Sequence, residues 1–282
     1  MTWIKPADEF LDRLRLRQYA NLVNATLAFG AGVSDIHDSA MDTNRKDIHN
    51  SDIPVLCRSC EARHKGMCGV LDSAELVALS RHTRLARHSA GEELAAEGMP
   101  VESYANVMRG VVKLTKVLED GRQQIVGLQF APDFLGRLFA PDSAVTAEAA
   151  SDIDLCRVSK SGLERLIAAN PKLERRLMEQ TLRELDEARE WMVTLGRKTA
   201  AEKVASFLYL IATHLDPSAD SEQKGRKFIL PLTRGDVADF LGLTIETVSR
   251  QLSRLRAEKV IAISAVTQVD VPDLERLRKR CG

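Results

Sequence analysis

Three cysteines fall within twelve residues, CRSCEARHKGMC, as Cys57, Cys60 and Cys68 in the spacing C-x2-C-x7-C. A C-x2-C pair brings two thiolates to one metal without strain, and Gly66 lets the chain turn back before Cys68. Three thiolates on a loop need a fourth donor, and Cys156, Cys281 or a histidine such as His64 can supply it. Cys281 is penultimate on a charged tail and reads as a free surface thiol. Cys156, in SDIDLCRV, alternates with Ile153, Leu155 and Val158 near a strand end, where a lone cysteine is more often core packing than a ligand. All-cysteine ligation suits a four-iron cluster or a structural zinc, and spacing does not choose between them. A redox disulfide is a third option, less favoured because it leaves thiols over.

A second chemistry sits near the C-terminus. Glu246, Ser249 and Arg250 share one side of a helical segment at spacings of three and four. Arginine pairs bidentately with guanine, glutamate accepts from the cytosine amino group, and serine serves either. Thr244 is the N-cap expected for that helix, Glu246 suits its positive first turn, and Thr244 and Thr247 join the candidate DNA-contacting set. A helix bearing Val237, Ala238 and Leu241 precedes it, and Val248, Leu252 and Leu255 give the second its apolar face. Between them Gly242 is expected to make a tight turn where a side chain would obstruct the two helices, and Ala238 to let them cross closely. This is the pattern of a helix-turn-helix whose second helix enters a major groove N-terminal end first. From residue 224 onward 12 Lys/Arg face 7 Asp/Glu, a local surplus that suits phosphate contact in a chain of net charge +0.

The remaining composition narrows the class. At 282 residues the chain suits two domains with connecting elements, and 44% hydrophobic with 28% charged residues is that of an ordinary soluble protein. Only 5% of residues are aromatic, which disfavours single-strand binding on stacked rings. No apolar run approaches the ~20 residues of a membrane helix, and the cysteine pattern is unlike a secreted disulfide scaffold. A cytoplasmic protein with no membrane partner is expected. No nucleophile with a base partner and no phosphate loop is legible in the middle domain, so an enzyme is not expected.

The elements that must position these residues follow in order. Residues 1–52 read as a poorly ordered extension: an amphipathic stretch with Phe10, Leu11 and Leu14 among arginines, then a polar run. Gln18, Asn21, Asn24 and Thr26 interrupt the only signal-peptide candidate, and Met41 is the expected translation start. Residues 53–169 hold the cysteine loop, a short helix around Ala74 to Leu79, and short strands punctuated by glycines 91, 98, 110, 121, 127 and 136, with a hairpin at Asp120-Gly121. An antiparallel β-roll results. Residues 170–199 predict a long helix, opened by Asn170-Pro171, with Met178, Thr181, Leu185, Ala188, Met192 and Leu195 as a homodimer seam. Gly196 is placed to hinge its end. The small Ala188 and polar Thr181 weaken the seam, as suits a switchable dimer. Residues 200–282 add a helix, a polar loop over 216–227, a short strand at Phe228 to Leu230, the helix-turn-helix, and a wing hairpin from VIAI and QVDV.

Cysteine loop, β-roll, long helix and winged helix-turn-helix in this order resemble the CRP/FNR family of bacterial regulators. The similarity covers residues 55–275 and includes RGVVKLTKVLEDGRQQIVGLQFAPDFLG and LTRGDVADFLGLTIETVSRQLSRL. It implies an α+β fold: an N-terminal antiparallel β-roll of the cyclic-nucleotide-binding jelly-roll kind, a dimerisation helix and a C-terminal winged helix-turn-helix. Within the family the chain looks like the oxygen-responsive FNR branch. That resemblance implies a 4Fe-4S cluster in each subunit on Cys57, Cys60, Cys68 and Cys156. It implies base reading by Glu246, Ser249 and Arg250 on a TTGAT-N4-ATCAA-like palindrome, a homodimer, contact with RNA polymerase, and transcription activation under low oxygen. The founding spacing is C-x2-C-x5-C; the gap of seven here resembles the FnrN type, and altered oxygen sensitivity is expected. The cyclic-nucleotide branch needs Gly-Glu for ribose and Arg-Ser for phosphate, and FLGRLFAPDSAVTAEA has neither pair, so cAMP is not expected to bind. Two rivals stand beside this reading: the same regulator with a zinc or thiol–disulfide switch, and an iron–sulfur redox enzyme whose C-terminal helices hold a protein partner.

Overall fold

The computed structural model describes residues 53–58, 60–215, 224–264 and 267–282. The N-terminal extension, the Met41 start and most of the 216–227 loop lie outside the described residues.

Where the sequence predicts a cysteine-bearing loop, the chain forms short helices instead: α1 (Val55–Arg58), α2 (Glu61–Lys65) and a 3-10 turn over Met67–Val70. Helix α3 (Ser73–Ser80) follows, opened by a reciprocal capping box between Asp72 and Glu75. Met67 is 1% exposed and anchors this arm among Leu76, Leu79, Leu163, Leu173 and Leu177. Burial of such a side chain stabilises by roughly 1.5–3 kcal/mol, enough to seat a short segment with little helical preference of its own.

Eight strands make the roll: β1 (Thr83–His88), β2 (Glu93–Ala95), β3 (Ser103–Arg109), β4 (Val111–Val117), β5 (Gln123–Phe130), β6 (Phe134–Leu135), β7 (Thr146–Ala149) and β8 (Ile153–Ser159). They form two antiparallel four-stranded sheets, ordered β1-β8-β3-β6 and β2-β7-β4-β5. Ala105, Val107, Val112, Ala147, Ala149, Ile153 and Leu155 fill a core drawn from both. The β4–β5 hairpin turns at Asp120-Gly121, where Gly121 takes φ +85° and the Asp120 carboxylate accepts from Arg122 N at 3.1 Å.

Helix α4 (Lys160–Ala169), absent from the sequence reading, leads into α5 (Pro171–Arg197). The Asn170 side chain caps α5, accepting from Lys172 N and Leu173 N, with Pro171 at its first turn. Leu173, Leu177, Gln180 and Thr194 face inward. Met178, Leu182, Leu185, Met192 and Val193 form an exposed apolar stripe. Of the expected seam, Met178, Leu185 and Met192 lie on this stripe, Thr181 and Ala188 are exposed beside it, and Leu195 is half-buried. Thr181 Oγ donates back to Leu177 O at 3.0 Å. Leu182 and Val193 join the stripe from outside the expected seam.

The C-terminal part comprises α6 (Ala200–His214), β9 (Arg226–Ile229), α7 (Arg234–Leu241), α8 (Ile245–Ala257), β10 (Ala262–Ile263), β11 (Gln268–Val271) and α9 (Leu274–Arg278). The predicted wing is the β10–β11 hairpin, extended by β9 into a three-stranded sheet, β10-β11-β9. Cys281 is not a surface thiol: it is 9% exposed, packs in the core of this part, and its Sγ donates to Leu277 O at 3.4 Å. Helix α7 docks on the β4–β5 hairpin. Lys113 Nζ bridges Asp236 at 2.8 Å and Glu148 at 2.9 Å, and Gln124 Nε2 donates to Phe240 O at 3.1 Å. The Trp191 and Phe240 rings stand 4.6 Å apart, so α5 also touches the first helix of the pair.

Candidate DNA-reading surface and cysteine centre

Helix α7 ends on Gly242, whose φ of +61° and ψ of 43° place it in the left-handed region. An added Cβ there would meet nothing within 4 Å. The glycine therefore serves the backbone conformation, and the expected obstruction of two helices is corrected. Ala238 is 4% exposed, in line with the close crossing. Thr244 caps α8, its hydroxyl accepting from Thr247 N at 3.3 Å. Val248, Leu252 and Leu255 bury one face of α8, which turns Glu246, Ser249 and Arg250 to solvent. Arg250 Nη2 donates to Thr247 Oγ at 3.3 Å, so the guanidinium is already held along the helix. The backbone N–H of Glu246 and the Thr244 hydroxyl hold the Glu246 carboxyl below the usual carboxylate range, keeping it an acceptor.

The four predicted cysteine ligands come from four places in the fold and line one cavity. Cys57 lies on α1, Cys60 between α1 and α2, Cys68 in the 3-10 turn, and Cys156 on β8. All four line one small cavity of about 20 Å³ with Arg63, Asn106 and Leu79. On β8 Ile153, Leu155 and Val158 are buried while Cys156 is half-buried. Cys156 faces away from Ile153 and Leu155, which fill the roll's core. It shares its face with Val158, which packs in the cluster around Met67, so it meets the arm and not the interior packing its alternation suggests. His64 is exposed and does not line the cavity.

The electrostatics fit a cation-bearing centre. Burial pushes the Cys68 thiol up, and repulsion from Cys156, Cys57 and Cys60 adds to it, with Arg63 opposing. Cys156 is pushed up to about 12, by burial first and then by Cys57 and Cys60. Burial and Cys60 raise Cys57, and Arg63 opposes. Four soft donors whose charges repel are what a bound metal stabilises as thiolates. Among the described residues no group of three or more His, Cys, Asp or Glu side chains is already gathered at metal-holding geometry. The cavity has room for about one water. Seating a metal–sulfur centre therefore needs the arm to shift, and the donor chemistry fits it.

A larger cavity, about 760 Å³, lies between the roll and α5, with Tyr104, Gly136, Arg137, Gln129, Gln180 and Glu184 among its lining. Glu184 is pushed up to about 7, by burial and then by Asp133 and Glu187, although its outer edge keeps solvent access. A carboxyl raised in the fold favours the folded state while neutral, and that contribution is lost as pH rises from the ordinary carboxylate range through 7. Glu184→Gln should therefore match the parent's melting temperature near pH 4.5 and exceed it above pH 7. Equal melting curves at both ends of a pH series would contradict this. No described helix is long and apolar enough to cross a membrane.

Comparison with known proteins agrees with this geometry. Residues 85–170 match the cyclic nucleotide-binding domain family and residues 202–280 the Crp-like helix-turn-helix domain family. The chain is 51% identical over 239 residues to a "Probable transcriptional activator" of Rhizobium leguminosarum bv. viciae, covering 85% of this chain and 98% of that protein. It is 41% identical to the transcriptional activator protein FnrL of Cereibacter sphaeroides, over 80% of this chain and 92% of that one. The solved structure of FixK2 from Bradyrhizobium japonicum superposes with a TM-score of 0.64 at 33% identity, covering 71% of this chain and 98% of FixK2.

Proposed function

Because the chain belongs to the CRP/FNR family of DNA-binding transcription regulators, we propose that it is an oxygen-responsive activator that reads a palindrome as a homodimer. The observation that carries this is the convergence of Cys57, Cys60, Cys68 and Cys156 on one cavity, next to the arm that grips the dimer helix. When bound there, a 4Fe-4S cluster supplies an iron–sulfur centre that oxygen can oxidise. Arg63, which donates to Cys57 O at 3.4 Å, offsets thiolate charge at the mouth of the cavity.

The route from arm to helix runs through this chain's own residues. Arg176 on α5 donates to the carbonyls of Lys65 and Gly66, the residues just ahead of Met67 and Cys68. Two residues further, Met178 opens the exposed apolar stripe. A shift of the arm therefore acts on α5 where the stripe begins. Two copies joined along that stripe would present two α8 helices to half-sites about one helical turn apart, the spacing a TTGAT-N4-ATCAA-like palindrome requires. No role falls to cAMP in this reading, in keeping with the lack of the Gly-Glu and Arg-Ser pairs in FLGRLFAPDSAVTAEA, part of which lines the larger cavity. RNA polymerase is the partner that activation requires.

The test is operator binding by the full chain, purified without oxygen and then exposed to air. A palindromic duplex should be shifted before exposure and released after it, while a duplex with one half-site scrambled should bind weakly throughout. Equal binding before and after air would contradict the oxygen response. The stripe has its own check. Leu185→Glu sets a carboxylate against its symmetry mate in a two-fold interface, and Leu185 is already exposed in the single chain, so folding should survive. Light scattering should report a monomer with unchanged far-ultraviolet circular dichroism; a persistent dimer would place the interface elsewhere.

A further inference from the structure

Asn106 on β3 is a buried amide inside the cysteine cavity, only 7% exposed. Its neighbour across the sheet is Cys156, paired with it in the β3–β8 register. Its Nδ2 donates to Cys68 Sγ at 3.9 Å. Its Oδ1 is buried with no hydrogen-bond partner. A buried amide oxygen left without a partner is destabilising, and an apolar side chain of similar shape would avoid that cost. The fold alone thus gives no reason for an amide at this position. The sulfur does: as a thiol Cys68 is a weak acceptor, whereas as a metal-bound thiolate it carries charge that an N–H stabilises.

We propose that Asn106 is a positioning residue for the metal centre, donating to the Cys68 thiolate and bracing the arm's ligand against the strand that carries Cys156. This rests on the reading of the four cysteines as metal ligands. Asn106 then does for sulfur what outer hydrogen-bond partners do in other metal sites, orienting a ligand and favouring its charged form. It also joins the two parts of the fold that supply the ligands, because Cys68 moves with the arm and Cys156 with the roll.

The proposal predicts opposite signs for metal binding and for metal-free stability. The full chain, stripped of metal and reduced under anaerobic conditions, is titrated with cobalt(II), whose thiolate charge-transfer absorption reports ligation. Asn106→Leu and Asn106→Ala should each weaken cobalt binding about 10-fold, the lower end of what losing such a partner costs. The metal-free melting temperature of Asn106→Leu should equal or exceed the parent's, since the unpartnered oxygen is gone. Should leucine overfill the site and unfold the chain, the alanine variant decides by its cobalt affinity. Parent-like cobalt affinity in the folded variants overturns the role of Asn106 alone. A metal-free Asn106→Leu chain that folds but melts well below the parent would mark the amide as structural and also overturn it. A parent chain that takes up no cobalt on its thiols overturns both this role and the ligand reading beneath it.

Discussion

Replacing Arg250 with alanine is expected to abolish useful recognition of the palindrome while leaving the fold intact. Arg250 is exposed, and its recorded hydrogen bond is to Thr247, so little of the structure depends on it. A bidentate arginine–guanine contact contributes about 1–3 kcal/mol of discrimination. A symmetric dimer makes that contact twice, so about 2–6 kcal/mol is lost, roughly a thirty- to twenty-thousand-fold fall in affinity. Binding isotherms on the palindrome at fixed salt should show that loss, with specific and non-specific binding brought close together. An affinity unchanged from the parent would remove Arg250 from the reading surface.

Cys156→Ala is expected to have the second large effect. The other three candidate ligands belong to the arm, so Cys156 is the one sulfur that ties arm to roll. Without it, iron and acid-labile sulfide in anaerobically purified protein should fall to background. Operator binding without oxygen should drop to the level the parent shows after air. The side chain is half-buried and small, so the metal-free chain should lose no more than about 1 kcal/mol. Cys281→Ala is the control: Cys281 packs in the C-terminal core, and its loss should leave iron content unchanged. Unaltered iron content and oxygen response in Cys156→Ala would break the ligand assignment.

These two residues differ in how readable they were. Arg250 was legible because a helix repeats every 3.6 residues: once Val248, Leu252 and Leu255 are buried, the opposite face is determined. The Thr244 cap followed from the same local rules. Cys156 is harder to read, since Ile153, Leu155 and Val158 suggest core, and only the packing shows that Cys156 and Val158 share the face opposite Ile153 and Leu155. What covers that outer face is the arm, held by Met67. A single buried methionine in a stretch of four- and five-residue helices leaves no periodic signal.

The dimer helix shows a related limit. Heptad spacing predicts one seam through Met178, Thr181, Leu185, Ala188, Met192 and Leu195, and Met178, Leu185 and Met192 lie on the exposed apolar stripe while Leu195 turns partly inward. Packing of Leu173 and Leu177 in the cluster around Met67 sets the rotation of α5, so that Leu182 and Val193 join that exposed face. At Gly242 a positive φ and a close approach both call for glycine and look alike in a sequence, and the structure shows the positive φ to be the reason. The docking of α7 through Lys113, Gln124 and Trp191 joins residues far apart in the chain, and no local pattern announces it.

The central claim is that four sulfurs hold a labile centre that decides whether two copies read one palindrome. Its most direct measurement is iron and acid-labile sulfide per chain in protein purified without oxygen, taken with the mass of the operator complex before and after air. The account predicts about four of each per chain, a two-chain complex on the palindrome, and loss of both centre and complex on exposure. Iron-free protein that still grips the palindrome as a pair, whether carrying zinc or no metal, would contradict it.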